Sequence, residues 1–312
     1  MSAPPLAELR AALSRGEKAA LSRALALLER EPDAASTLAL LDEAYAAPTA
    51  EVVGLTGPPG VGKSTLTGAL IRAYRARGRT VAVIAVDPSS RRSGGALLGD
   101  RTRLSTDPDD TGVFVRSMAA RDRLGGLATL TVSAMVLMRA LFDVVLIETV
   151  GVGQSETDVA GAADTVVFCV QPGSGDSLQY MKAGIAEIPD VVVVTKADMG
   201  QAAARATADV KGALSLAAGE EERDGWHLPV LMVSATTGER LERLLDALDG
   251  HAAHLRTVGR LTARRHAQAE GWLLDAVRDR FGREGVRRAG DLTLAPGTSP
   301  FGRLAEIAER LG

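Results

Sequence analysis

Continuous apolar runs punctuate the middle of the chain at residues 52–56, 81–86, 113–115, 144–148, 165–170, 191–195 and 230–234. Apolar runs without a polar alternate read as strands buried on both faces, as in a parallel sheet covered by helices on each side. The stretches between them supply those helices. Leu66, Leu70 and Ala73 recur at helical spacing, as do Leu127, Leu130, Ala134, Leu137 and Leu141, and then Leu241, Leu244, Leu245 and Leu248. A helix over 127–142 makes the link between the third and fourth strands a crossover, so strand 144–148 runs parallel to its neighbour. The expected class is α/β with a mostly parallel sheet and helical extensions at both ends.

The extensions follow a different pattern. Leu6, Leu9 and Leu13, then Leu21, Leu25 and Leu28, step by three and four, and Leu38, Leu41 and Tyr45 continue the spacing after Pro32 and Asp33. Two amphipathic helices are expected before residue 49. So short a segment buries little core alone, so it is expected to pack on the sheet domain or on a partner. Residues 259–285 form an Arg- and His-rich helical stretch with an apolar line at Ala269, Leu273, Ala276 and Phe281, followed by a Gly/Pro-rich loop over 290–302 and a last short helix. The division expected is therefore 1–48 helical, 49–255 sheet domain and 256–312 helical. His251 and His254 read as solvated helix residues rather than a metal site, which would lack ligands, and the arginines of 256–288 as a solvated face or a partner surface.

Composition narrows the functional classes. With 46% hydrophobic residues among 312, the chain can bury a core, and no apolar run approaches the length of a membrane span. A soluble, cytoplasmic protein is expected, because the first residues also lack a basic start and an apolar signal core. A net charge of −3 with interspersed signs, and 3% aromatics, argue against nucleic acid or an anionic membrane as partner. The single cysteine, Cys169, sits inside an apolar run and reads as a buried structural thiol.

Candidate chemistry gathers at the strand ends, where parallel α/β sheets bind ligands. Gly57, Pro58, Pro59, Gly60, Val61, Gly62, Lys63, Ser64 and Thr65 follow the first strand and open a helix. They complete the pattern G-x-x-x-x-G-K-S/T, a P-loop whose backbone NH groups and helix N-terminus cradle phosphates, with Lys63 reaching the β- and γ-phosphates and Ser64 holding Mg²⁺. Asp87, Asp100 and Glu148 are the acids placed to complete a Mg²⁺ site, Glu148 most directly because it terminates a fully apolar strand. The amide of Gly151, three residues on, is positioned to sense a γ-phosphate, and Gln154 to orient water.

Base choice is read at Thr195, Lys196 and Asp198. The Asp198 carboxylate can accept the two donors of a guanine edge, with the Lys196 stem over the base, which favours GTP over ATP. Ser234, Ala235 and Thr236 end the next strand, at the place of a further base-binding loop. Asparagine is usual at the position of Thr195, where its amide braces the P-loop and touches the base; threonine is expected to reproduce neither and to weaken guanine selectivity.

The helical crossover, in place of the antiparallel hairpin of Ras-like GTPases, resembles the all-parallel SIMIBI-type P-loop NTPases, related to signal-recognition and metallochaperone GTPases. Several motifs point further: Asp87–Ser90, Gly94–Arg103, Arg116–Met118, Glu148–Glu156, and Gly175 and Asp176 with Gln179 and Lys182. With these the chain resembles the G-protein chaperones of adenosylcobalamin-dependent acyl-CoA mutases, the MeaB/ArgK/MMAA type, over nearly its whole length. The resemblance implies a homodimer with 256–312 as dimerisation segment, GTP hydrolysis to GDP, and a complex in which the protein gates cobalamin loading of a mutase and protects it. It places Lys63, Asp100, Glu148 and Gln154 in catalysis and Gln179 and Lys182 in a switch loop facing the mutase. The alternatives are a metallochaperone-type GTPase, which calls for a Cys/His cluster the sequence lacks, and a nucleotide-dependent interaction module with incidental hydrolysis.

Overall fold

The structure, a computed structural model, describes residues 2–88, 106–107, 109–120, 129–149, 158–173, 188–217 and 225–312. Seven strands form one sheet: β1 (Glu51–Thr56), β2 (Val81–Pro88), β3 (Val113–Ala120), β4 (Val144–Glu148), β5 (Thr165–Val170), β6 (Val191–Val194) and β7 (Val230–Met232). Their order is β3-β2-β4-β1-β5-β6-β7, and every pairing is parallel. The crossover expected between the third and fourth strands is present as α5 (Thr129–Arg139), and β4 lies between β1 and β2. The third strand runs five residues beyond the 113–115 read from the sequence, because Arg116 and Ser117 continue the ladder with Ile84 and Ala85.

Alternate residues of each strand point to opposite faces. One face, carrying Val53, Leu55, Val83 and Leu146, packs on α4 (Lys63–Ala76) and on the helix Leu241–Thr257, called α7. The outer strands' other face, with Phe168 and Val192, is covered by α6 (Gln201–Ala217). On the same side, Val52, Ile84, Val145 and Ile147 meet α5 and helices from both ends of the chain. The N-terminal segment forms three helices, α1 (Leu6–Ser14), α2 (Lys18–Arg30) and α3 (Ala35–Ala46), rather than two. The first break falls at Gly16, whose φ of 80° ends α1 in a left-handed turn. Leu9, Leu21, Leu28 and Leu41 join the same core as Trp272 and Leu273 of α8 (Arg260–Ala289) and Phe301 and Ile307 of α9 (Pro300–Leu311). The N-terminal helices thus pack on the sheet domain of their own chain.

Three residues depart from the solvated face expected of them. His251 of α7 is buried, its Nδ1 2.8 Å from Thr165 Oγ1 and its ring 4.8 Å from that of Trp226. Arg264 and Arg265, adjacent on α8, pair with Asp190 at 3.0 Å and Asp164 at 2.6 Å. Each aspartate immediately precedes a strand and accepts a backbone N–H of the sheet, Asp164 from Val52 at 2.9 Å and Asp190 from Val166 at 2.8 Å. The arginines therefore fasten α8 beneath the sheet, where burial makes an ion pair depend on complete hydrogen bonding.

Candidate functional site

The loop between β1 and α4 turns on three glycines with positive φ: Gly57 at 133°, Gly60 at 76° and Gly62 at 102°. Gly57 has a second reason to lack a side chain, since a Cβ there would lie 2.4 Å from the carbonyl oxygen of Cys169 on β5. The loop is thereby pressed onto the sheet's C-terminal edge, and Gly62 caps α4 so that the helix's first N–H groups face the loop. Lys63 is buried and donates to Gly57 O at 2.7 Å and Pro58 O at 3.0 Å, which holds its ammonium over the loop. Val61 is fully buried beneath, while Pro59, Gly60 and Thr65 face solvent.

Ser64, one residue into α4, donates to Glu148 Oε1 at 2.5 Å. Glu148 is 5% exposed and ends β4 in register with Leu55 of β1 and Ala85 of β2. The two residues that sequence reasoning assigned to one cation site are thus in direct contact. Thr149, which it passed over, ties the next step of the chain to β1: its N–H donates to Leu55 O at 3.1 Å, and its hydroxyl lies 3.2 Å from Thr56 Oγ1. Asp87 belongs to β2, two residues past the partner of Glu148, at the same sheet edge. Asp100, Gly151, Gln154, Gln179 and Lys182 lie outside the described residues.

The base-reading candidates converge at the neighbouring strand ends. Thr195 follows β6 and donates its hydroxyl to Val61 O at 2.7 Å, with Val170 O at 3.1 Å. The expectation that threonine cannot brace the P-loop is therefore corrected: a hydroxyl on the buried strand end is close enough to hold the loop carbonyl directly. Lys196 adopts a left-handed conformation, φ 57°, which turns it outward, and its Nζ donates to Gln171 Oε1 at 2.7 Å. Asp198, on the single turn Ala197–Met199, is exposed. Ala197 N donates to Val233 O, so this turn abuts the end of β7. There Ser234 is buried and accepts from Thr237 N at 3.2 Å, shaping a tight loop in which Ala235 is half-buried and Thr236 exposed.

Cys169 beneath the loop is buried, and burial pushes its thiol up to about 12, which makes it a packing residue rather than a nucleophile. Among the described residues, no three His, Cys, Asp or Glu side chains group so as to hold a metal ion, and no helix is long and apolar enough to cross a membrane. The arrangement presents a cradle with a lysine, a hydroxyl and carboxylate of the kind a hard cation takes, and an exposed acid at the adjoining strand end.

Residues 21–288 match the family model described as methylmalonyl Co-A mutase-associated GTPase MeaB. A Mycobacterium tuberculosis protein described as a probable GTPase is 39% identical over 97% of this chain and 96% of its own length. GTPase ArgK of Escherichia coli K12 is 37% identical over 86% of this chain and 82% of its own. Among solved structures, an LAO/AO transport system kinase superposes with a TM-score of 0.69 at 29% identity, covering 97% of both chains.

Proposed function

The chain belongs to the methylmalonyl Co-A mutase-associated GTPase MeaB family, and on that premise we propose that its GTP hydrolysis times the service of an adenosylcobalamin-dependent acyl-CoA mutase. It is a P-loop GTPase. In the reading advanced here it acts as a chaperone, gating cobalamin loading of the mutase and protecting the loaded enzyme, as a homodimer through residues 256–312.

The observation that carries this reading is the Ser64–Glu148 hydrogen bond of 2.5 Å. It joins the helix that receives the phosphates to the strand end from which the segment Thr149–Ser155 departs, so a change at the phosphates is felt where that segment begins. Ser64 and Glu148 offer oxygen donors that suit Mg²⁺, and Asp87 and Asp100 would complete its surroundings. When bound, the ion neutralises phosphate charge.

The chain's own groups divide the remaining work. The loop amides and the α4 N-terminus bind the phosphates. Lys63, held on loop carbonyls 2.7 and 3.0 Å away, exchanges those partners for the β- and γ-phosphate oxygens. Gln154 orients the attacking water and the Gly151 amide reads the γ-phosphate. Asp198 accepts the guanine edge, while Thr195 contributes by fixing the loop rather than by touching the base. Gln179 and Lys182 face the mutase.

The test is GTP turnover by this protein with and without an acyl-CoA mutase reconstituted with adenosylcobalamin, alongside the mutase's rate of inactivation. Faster turnover in the mixture and a longer-lived mutase are expected. If neither quantity changes, the chaperone reading fails, and a mutase that stays protected by Lys63→Ala assigns the protein to a binding clamp instead.

A further inference from the structure

Arg139 closes α5 on the side of the sheet where both ends of the chain meet, and it is 4% exposed. It lines a cavity of about 20 Å³, enough for one water-sized occupant, shared with Tyr45, Arg265, Gln268, Trp272 and Phe301. Its Nε has no hydrogen-bond partner, among the described residues no carboxylate forms an ion pair with it, and its guanidinium lies 5.9 Å from the centroid of the Tyr45 ring.

The neighbours are committed elsewhere. Asp164 takes both Nε and Nη2 of Arg265, at 2.8 and 2.6 Å, as well as Val52 N at 2.9 Å. Gln268 spends its amide hydrogens on Ala160 O and Ala163 O, at 2.9 and 2.8 Å, and the Trp272 indole donates to Thr129 O at 3.1 Å. Glu270 on the same helix accepts from Leu294 N at 2.9 Å. Asp164 therefore balances Arg265 and acts on Arg139 only at a distance, so the charge of Arg139 is buried without an ion-pair partner among the described residues. Arginine cannot shed that charge at neutral pH, since even with burial and Arg265 pressing downward its pKa stands at about 10. An isolated buried charge is strongly unfavourable, and a compensating anion relieves it. Pro300 and Phe301, the first residues of α9, also line the cavity, which brings the positive end of that twelve-residue helix to the same place.

We propose that this cavity binds one small monovalent anion of halide size, held by Arg139, which joins α3, α5, α8 and α9 through charge balance. The site lies apart from the P-loop, among helices drawn from both termini.

Two measurements on the full-length protein test it, both with saturating GDP so that the P-loop is filled. At constant ionic strength, replacing gluconate, which is too large to enter, by chloride is expected to raise Tm by roughly 2–4 °C for each tenfold increase once binding begins. Arg139→Met is expected to abolish that dependence; should the variant not fold, the wild-type comparison decides alone. Crystals soaked in bromide should show an anomalous peak beside the Arg139 guanidinium. Equal Tm values in chloride and gluconate overturn the proposal, whether the cavity then shows water or a bromide peak, the latter marking an adventitious ion only.

Discussion

The two edges of the sheet handle charge in opposite ways. At the N-terminal edge, acids and arginines from distant parts of the chain pair with one another: Asp164 with Arg265, Asp190 with Arg264, Glu51 with Arg79 and Arg256. At the C-terminal edge, the contacts of Lys63 include two backbone carbonyls and those of Glu148 a serine hydroxyl. Ion pairs between side chains are complete without a ligand and serve to hold elements together. Carbonyl and hydroxyl partners carry no opposite charge, so phosphate oxygens or a cation, which do, can replace them. One edge holds the molecule together, and the other is arranged to change partners.

That division can be broken most sharply at Asp164. Asp164→Ala leaves Arg265 without its acid beside Arg139 and should lower unfolding free energy by about 3–5 kcal/mol in denaturant titrations. GTP turnover per folded molecule should stay near wild type; a large loss there would mean that the edges are not separable. Lys63→Ala is the converse experiment, expected to slow GTP hydrolysis by about 10²–10³-fold with little movement of Tm in the nucleotide-free protein. Equal damage to stability would deny that this edge is specialised for a ligand.

Thr195 sits between the two behaviours, a buried internal hydrogen bond at the working edge. Thr195→Val removes the donor to Val61 O and should cost about 1 kcal/mol of stability, together with a several-fold weaker affinity for GDP and GTP alike. Titrations showing loss of GTP over ATP selectivity instead would return Thr195 to the base. The smallest effect is expected from His251. Burial, opposed by Asp190 and reinforced by Arg264 and His254, lowers its pKa, so the unfolded chain binds this proton more readily than the folded one. Its contribution is fully present above about pH 6.5 and is lost as pH falls through the folded pKa, at no more than about 1.4 kcal/mol per unit. A Tm profile between pH 7 and 5 should be flatter for His251→Gln than for wild type.

The working edge was the more legible in the sequence because its elements are local. A strand, a glycine-rich turn and a helix lie within residues 51–76, and Glu148 ends an uninterrupted apolar strand. Strand positions followed from apolar runs because both faces of a parallel sheet are covered. The holding edge was not read, since Arg264 and Arg265 look like any solvated helical arginines until their partners, 74 and 101 residues away in sequence, are known. A signal was nevertheless present: Asp164 and Asp190 each stand one residue before a fully buried strand. An acid at a buried strand's start needs a partner, and two adjacent arginines on an amphipathic helix could supply one to each. Thr195 was misjudged because it was compared with the asparagine amide, although its position on a buried strand end brings its hydroxyl to a loop carbonyl.

The core that joins Leu9 and Leu21 to Trp272, Phe301 and Ile307 has a consequence for the order in which the molecule is made. A ribosome releases α1–α3 well before α9, so one face of the sheet stays partly uncovered until α9 has emerged. The opposite face, closed by α4 and α7, can be completed before α9 is made, leaving Trp272 and Phe301, whose rings meet at 4.7 Å, to seal the other side afterwards.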